Sequence, residues 1–482
     1  MEQLDVAILG AGLGGLGAAI RLQQAGIDSF RVLERAQEVG GTWRDNTYPG
    51  CACDIPSHLY SFSFEPNTEW TRPYPRQAEI QAYILRTVAR HQLAARIQLG
   101  AQVTQLRWLA DEQLWQIDIA GEPALKARHV IGATGPLNKP AIPAIEGRGS
   151  FVGEQFHSSQ WRHDVPLAGR RVAVVGTGAS AIQIVPALAG VAAQLSVFQR
   201  TPPWVVPRPD RPYSAARRKV YRALPWLQTL NRWRIYWRNE LFGLGFLGSQ
   251  RMQRLARWGA SAHLRHQVRD PALRERLTPD YAPGCKRMGV SSDYYPALQK
   301  PGVALVTGAI ERVEPRGIVT ADGALHECDV IVWATGFTAT EFVTPMRIHG
   351  EGGVELSALW QAQPAATHLG IHVAGFPNLH LLVGPSTGLG HNSIVFMIEA
   401  QLNTIVGALR GGPPVLRLKP QVQAASYADV QRRLRRTVWA SGCKSWYQHP
   451  DGRIDTLWPG FTWQYWRATR RFDARLYEIS ET

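Results

Sequence analysis

Apolar residues along the chain fall into short unbroken runs, and stretches of helical period separate them. Asp5-Val-Ala-Ile-Leu9 predicts a short strand buried on both faces. It leads directly into Gly10-Ala-Gly12-Leu-Gly14-Gly15. Ala18 to Gly26 then reads as a helix stopped by its final glycine, and Phe30-Arg-Val-Leu-Glu34 predicts a second strand ending on an acid. The same order returns at Arg171–Val175. A strand runs into Gly176-Thr-Gly178-Ala-Ser-Ala181, a helix extends through Gly190, and a strand runs from Leu195 to Arg200. From first glycine to strand-end residue the spacing is 24 in both units.

Two further strands bracket the second unit. His129-Val-Ile-Gly-Ala-Thr-Gly135 precedes it and Asp329-Val-Ile-Val-Trp-Ala-Thr-Gly-Phe337 follows it, each ending in Ala-Thr-Gly. This symmetry predicts that the second unit is inserted into the first. Residues 1–140 and 340–482 then form one body and 141–339 the other. Within the insertion, 211–280 has few β-branched runs. Its aromatics (Trp226, Trp233, Tyr236, Trp237, Trp258) and arginines recur at helical spacings, which predicts a helical insert.

The glycines and the strand-end residues carry chemistry. Gly10 permits the tight turn, Gly12 lets backbone approach a pyrophosphate, and Gly15 lets helix and strand pack closely. The helix N-terminus directs unpaired N–H groups at the phosphates. Glu34 accepts from ribose hydroxyls and repels a 2′-phosphate, so the first site reads as one for FAD or NAD. Arg200 stands where Glu34 stands in the first unit, and a guanidinium forks onto a 2′-phosphate. With Ala181 in place of the third glycine, a permitted variant, Gly176, Gly178 and Arg200 predict NADP. The fold class expected is α/β, with two Rossmann-like dinucleotide-binding domains, the NADP domain inserted in the FAD domain, and a helical insert. Two such sites of opposite charge preference point to a flavin enzyme reduced by NADPH.

Composition narrows the setting. At 45% hydrophobic and 19% charged residues, the chain is of ordinary globular type. No run of 18 apolar residues is present, so no membrane-spanning helix is expected. The acidic start and the short Val6–Leu9 run predict no secretory signal. The five cysteines (Cys51, Cys53, Cys285, Cys328, Cys443) are odd in number and lack a framework spacing. Cys51-Ala-Cys53 has no partner pair, so neither a metal site nor a catalytic disulfide is expected, and a reducing cytoplasm fits. The net charge of +15 is unevenly placed. Arg211 to Arg276 holds fifteen basic residues against Glu240, Asp270 and Glu275. Such a basic, Trp-rich stretch suits weak contact with a membrane surface, or nucleic acid. The reading preferred is a helical cap whose tryptophans pack and whose arginines face water, with no nucleic-acid partner. Its positive field also attracts NADPH.

Phe151-Val-Gly153-Glu-Gln-Phe-His157-Ser-Ser-Gln-Trp161 resembles the fingerprint of the Baeyer–Villiger monooxygenases, with Arg162 a departure at the next position. Gly41-Thr-Trp43-Arg-Asp-Asn-Thr-Tyr48-Pro49-Gly50-Cys-Ala-Cys-Asp54 resembles a second fingerprint of that family. Cys285-Lys286-Arg287, Gly384 to Asn392, Ser445-Trp446-Tyr447 and Trp458-Pro-Gly-Phe-Thr are similar to further family segments. The resemblance implies that FAD also meets Trp43, Asp54 and Asn392. It implies that NADPH reduces the flavin and that O2 and a small apolar ketone give an ester or lactone through a C4a-peroxyflavin. Arg287 then stabilises the peroxide and the oxyanion, Asp54 holds Arg287, and Lys286 joins Arg200 at the 2′-phosphate. His157 and Trp161 couple domain motion to cofactor binding. Two alternatives stay open: flavin N- or S-oxygenation of amines or thioethers, and a NADPH-dependent flavin reductase. The sequence does not define the oligomeric state.

Overall fold

The computed structural model describes residues 1–478 apart from 444, 446 and 450. Trp446 of the Ser445–Tyr447 segment and the end of the 340–482 stretch therefore lie outside the described residues.

Two sheets organise the chain. The first runs in the order Arg347–His349, Val103–Leu109, Leu114–Ile119, Leu125–Gly132, Gln3–Leu9, Phe30–Glu34, Ile97–Leu99, with Leu379–Leu381 also on Leu125–Gly132. Its centre is parallel, with Val6 opposite both Phe30 and His129. Val6 to Leu9 are all buried, as a strand covered on both faces requires. The helix Leu13–Gln24 buries Leu16, Ala18, Ala19, Ile20 and Leu22, and it packs against Ile394–Gly411 from the far end of the chain.

The second sheet is wholly parallel, in the order Val303–Val306, Gln194–Phe198, Arg171–Val175, Val330–Trp333, Glu154–His157. Its strands all come from residues 154–333. The connections between the two sheets run side by side. Ala141 N donates to Gly336 O at 2.9 Å, Thr338 N to Lys139 O at 3.1 Å, and Thr335 Oγ1 to Ala141 O at 2.6 Å. Two crossovers bonded to each other form a narrow double-stranded joint.

The stretch after Arg211 forms helices Ala215–Ala223, Pro225–Phe246, Gln250–Gln267 and Pro271–Arg276. The expectation that its tryptophans pack is overturned. Trp226, Trp233, Trp237 and Trp258 are exposed, whereas Tyr236 is buried. Gln228, Ile235, Tyr236, Asn239 and Glu240 occupy the inward face of Pro225–Phe246, and the indoles stand on the outer one. The cysteine expectation is also corrected, because Cys285 and Cys443 form a disulfide across 158 residues. Cys51, Cys53 and Cys328 are free and buried. Among the described residues, no helix is long and apolar enough to cross a membrane.

Candidate active site

At the first glycine motif, Gly10 has φ +101°, and a Cβ there would lie 2.8 Å from Ala133 O. A Cβ at Gly15 would lie 1.8 Å from Gly10 O, so helix and loop touch backbone to backbone. Gly12 faces Gly41, whose Cα sits 3.7 Å from where a Gly12 Cβ would be. The N-terminus of Leu13–Gln24 thus opens on a floor of bare backbone, a cradle that fits a pyrophosphate. Glu34 is buried. Its Oε2 accepts from Ala11 N at 2.8 Å, and its Oε1 accepts from Ala36 N at 3.0 Å and Arg44 Nη1 at 2.9 Å. A carboxylate oxygen accepts two hydrogen bonds, so Oε2 keeps one acceptor position for a ribose hydroxyl. Trp43 is buried against Tyr60, donating Nε1–H to its hydroxyl at 3.0 Å.

At the second motif, Gly176 has φ +120°, and its Cβ would lie 2.3 Å from Ala334 O. The two motif glycines therefore meet the two Ala-Thr-Gly crossovers in the same way. A Cβ at Gly178 would meet nothing within 4 Å, so this face of the Ala181–Leu188 helix N-terminus is open. Ala181 is fully buried. Arg200 is exposed just past Gln194–Phe198. Lys286 is half-buried with Nζ 4.8 Å from the centre of the Tyr281 ring. Burial first, and then the nearby Arg200 charge, lower the Lys286 pKa. Two cations held together beside an open helix N-terminus fit a 2′-phosphate.

Between these sites lies the Asp54–Arg287 pair. The loop leading to Asp54 is docked onto the Ala181–Leu188 helix by Gln183. Gln183 Oε1 accepts from Tyr48 OH and Ala52 N, each at 3.2 Å, and its Nε2 donates to Ala52 O at 3.0 Å. Arg287 donates Nε–H to Asp54 Oδ2 at 2.7 Å and Nη2–H to Oδ1 at 2.8 Å, a two-pronged contact across 233 residues of sequence. Nη1 reaches Leu389 O at 3.4 Å. Burial pushes the Asp54 carboxyl up, but the Arg287 guanidinium outweighs it and holds the pKa below the usual carboxylate value. Asp54 in turn raises that of Arg287. The Tyr447 hydroxyl lies near Arg287, and burial raises its pKa against that cation. Arg287 keeps 30% of its side chain exposed and Asp54 21%, so the cation is fixed yet accessible.

Other expected residues serve the frame. Asn392 Nδ2 donates to Glu240 Oε1 at 2.5 Å and Thr462 Oγ1 at 3.3 Å, while its Oδ1 accepts from Ser393 N at 2.9 Å. Its side chain is thus spent within the protein, which leaves its backbone for the cofactor contact expected there. Phe151 is buried, and a Cβ at Gly153 would lie 2.3 Å from Asp329 O. His157 is buried opposite Trp333; its Nδ1 bonds Ser159, and its ring meets Phe337 edge-on just past Gly336. Trp161 packs edge-on against Phe156. These four residues brace one edge of the second sheet beside the crossover. Burial pushes the Cys51 thiol up to about 12 and raises that of Cys53 well above its usual value, so both stay protonated and unbonded. A reductase working on disulfides needs a thiolate or a bonded pair. Gln183, Glu240, Tyr447 and the Cys285–Cys443 bond were not foreseen as parts of the site. Of these, Tyr447 and Cys285 lay in segments with a recognisable pattern.

The profile of the family described as "Pyridine nucleotide-disulphide oxidoreductase" matches residues 7–218, which takes in both glycine motifs. A protein named "Baeyer-Villiger monooxygenase" from Pseudomonas aeruginosa is 45% identical over 99% of this chain and 92% of its own length. One of the same name from Streptomyces coelicolor is 44% identical over 99% and 93%. Among solved structures, "Oxidized steroid monooxygenase bound to NADP" has a TM-score of 0.87 at 30% identity, with 97% of each chain covered.

Proposed function

The chain belongs to the Baeyer–Villiger monooxygenases, and from that premise we propose roles for the residues that carry the reaction here. The enzyme is FAD-dependent, consumes NADPH, and converts a ketone to an ester or lactone with one oxygen atom of O2. Bound FAD, reduced by the nicotinamide, supplies the activation of O2.

Arg287 is the group that meets negative charge. When the ketone carbon is attacked, its carbonyl oxygen becomes an oxyanion, and a guanidinium N–H pointing at it lowers the barrier. Asp54 takes Nε–H and one Nη2–H, and Nη1 reaches Leu389 O. These contacts fix the plane of the guanidinium and leave few orientations for its two remaining donors. Asp54 is thus a positioning residue whose charge also keeps the pair net neutral before substrate arrives. The bidentate Asp54–Arg287 contact is the observation that carries this reading.

Gly10, Gly12, Gly15 and Glu34 hold the FAD pyrophosphate and ribose. Gly176, Gly178, Arg200 and Lys286 hold NADPH. The chain divides into residues 1–140 with 340–482 around FAD and 141–339 around NADP, so the joint between crossovers sets how the cofactors face each other. Cys53, Leu389 and Tyr447, all buried and all near Arg287, support a small apolar ketone. Demand for NADPH supports the cytoplasm as compartment, against which the Cys285–Cys443 bond counts.

The deciding experiment is Arg287→Ala assayed for NADPH oxidation and for ester formation separately. FAD binding and its reduction by NADPH persist, while ester falls at least 100-fold, about 2.7 kcal/mol or more, as for removal of one oxyanion donor. Ester formation at the wild-type rate would falsify the assignment.

A further inference from the structure

The helix Pro225–Phe246 presents two unlike faces. Inward, Glu240 accepts from Asn392 and Thr462 and so anchors the Gly384–Asn392 loop. Outward, Trp226, Leu230, Trp233, Trp237 and Leu241 are exposed by 50–61%. At 100° per residue their spacings of four, three, four and four fall within an arc of about 80°, over a length of about 22 Å. A helix that simply faces water carries polar residues on that side. A continuous apolar stripe of this length marks a contact surface. The helix Thr462–Thr469, bonded to Glu240 through Thr462, adds exposed Trp463 and Trp466.

The rim of the stripe is cationic. Arg234 and Arg238 are exposed on the same helix. Between Arg211 and Arg269 the chain holds thirteen Lys and Arg, and its one acid is Glu240, which is buried. Charge selects the occupant. A second copy of this chain, itself at +15, would set like charge against like charge. Nucleic acid supplies phosphates but offers no apolar bed for Leu230 and Leu241. An anionic bilayer surface supplies both partners: headgroup phosphates for guanidinium groups, and an interfacial layer where indoles and leucines settle.

We propose that the Pro225–Phe246 face docks the enzyme onto anionic lipid, with the helix lying in the headgroup plane. The membrane then sits about one helix diameter, ~10 Å, from the Gly384–Asn392 loop.

The test is vesicle flotation of the FAD-loaded full chain. Vesicles of phosphatidylglycerol and phosphatidylcholine in equal parts bind at least tenfold more tightly than phosphatidylcholine alone, and 500 mM NaCl weakens the binding. Trp233→Ser/Trp237→Ser and, separately, Arg234→Glu/Arg238→Glu each lower the affinity at least tenfold. Both variants keep their flavin content and their rate in lipid-free buffer. The proposal is overturned if the wild type does not float with anionic vesicles, or if both variants float as it does. It is equally overturned if the tryptophan variant turns a wild-type dimer into a monomer, or abolishes binding to duplex DNA while leaving vesicle binding intact.

Discussion

Arg200 and Lys286 come near each other from segments 86 residues apart, and burial first and then the Arg200 charge lower the Lys286 pKa. If this pair reads the 2′-phosphate, Arg200→Ala raises the KM for NADPH and leaves that for NADH nearly unchanged. The loss is worth ~1.5–3 kcal/mol, the range for hydrogen bonds to charged groups, or roughly 10- to 150-fold. Equal effects on the two nucleotides would show that Arg200 does not recognise the phosphate. Arg287→Lys poses a complementary question. Lysine keeps the charge but cannot grip both oxygens of Asp54. Ester formation should then fall well below wild type while more of the NADPH is spent without ester, measured as the ratio of product to NADPH consumed. Several residues were legible because their signal is local: a strand, a glycine turn, and Glu34 or Arg200 at a set distance. Asp54 with Arg287 was legible only by resemblance, since nothing local joins residues 233 apart. Gln183 and Glu240 had no such signal, because each acts through a contact between distant segments, whereas Tyr447 lay in a segment legible by the same resemblance.

At the level of elements, the strand Glu154–His157 and the segment around Cys285 are held by close approaches that substitution can probe. A Cβ at Gly153 would overlap Asp329 O at 2.3 Å, whereas one at Gly149 meets nothing within 4 Å. Gly153→Ala should lower stability by ~1–3 kcal/mol, the usual cost of overpacking, and Gly149→Ala should leave it unchanged. Thermal unfolding of the two variants separates the cases; equal midpoints would show that the strand edge yields freely. The Cys285–Cys443 bond fastens the segment before Lys286–Arg287 to the chain that brings Tyr447 to Arg287. Its loop spans 158 residues, so chain entropy alone assigns it up to ~5 kcal/mol. Cys443→Ser, or reduction by a dithiol, should therefore lower the Tm, and a midpoint indifferent to reductant would show that the bond stabilises nothing. Odd cysteine number and absent framework spacing concealed this pair, since both cues are local and the pairing is not.

For the molecule as a whole, the two glycine motifs and their matching crossovers made the two-sheet architecture readable. The way the C-terminal residues return to the first sheet was not readable, because it depends on a buried polar chain. His129 Nδ1 and His380 Nε2 are 3.2 Å apart, His380 Nδ1 and His372 Nε2 2.7 Å, and His372 Nδ1 and the Tyr477 hydroxyl 2.7 Å. Each neutral imidazole has one donor and one acceptor, so the three rings and the hydroxyl can form an unbroken donor-to-acceptor chain with every member uncharged. Burial lowers His129 to about 4, His372 to about 3, and His380 well below its usual value; His368 nearby falls to about 4. In the unfolded chain all four titrate near 6.5. The unfolded state therefore binds more protons than the folded one below that pH, and stability falls as pH falls. The loss begins near 6.5 and levels off only below the folded values of about 3 to 4. At pH 5 the burial of each of His129, His368 and His372 as a neutral ring costs on the order of 2 kcal/mol. Urea unfolding between pH 7 and pH 5 should show a steep loss. His372→Gln should reduce its slope by about one proton even if the variant is less stable at pH 7. A midpoint flat across that interval would mean that these histidines are not held neutral, and the chain from the first sheet to Tyr477 would then need another origin for its stability.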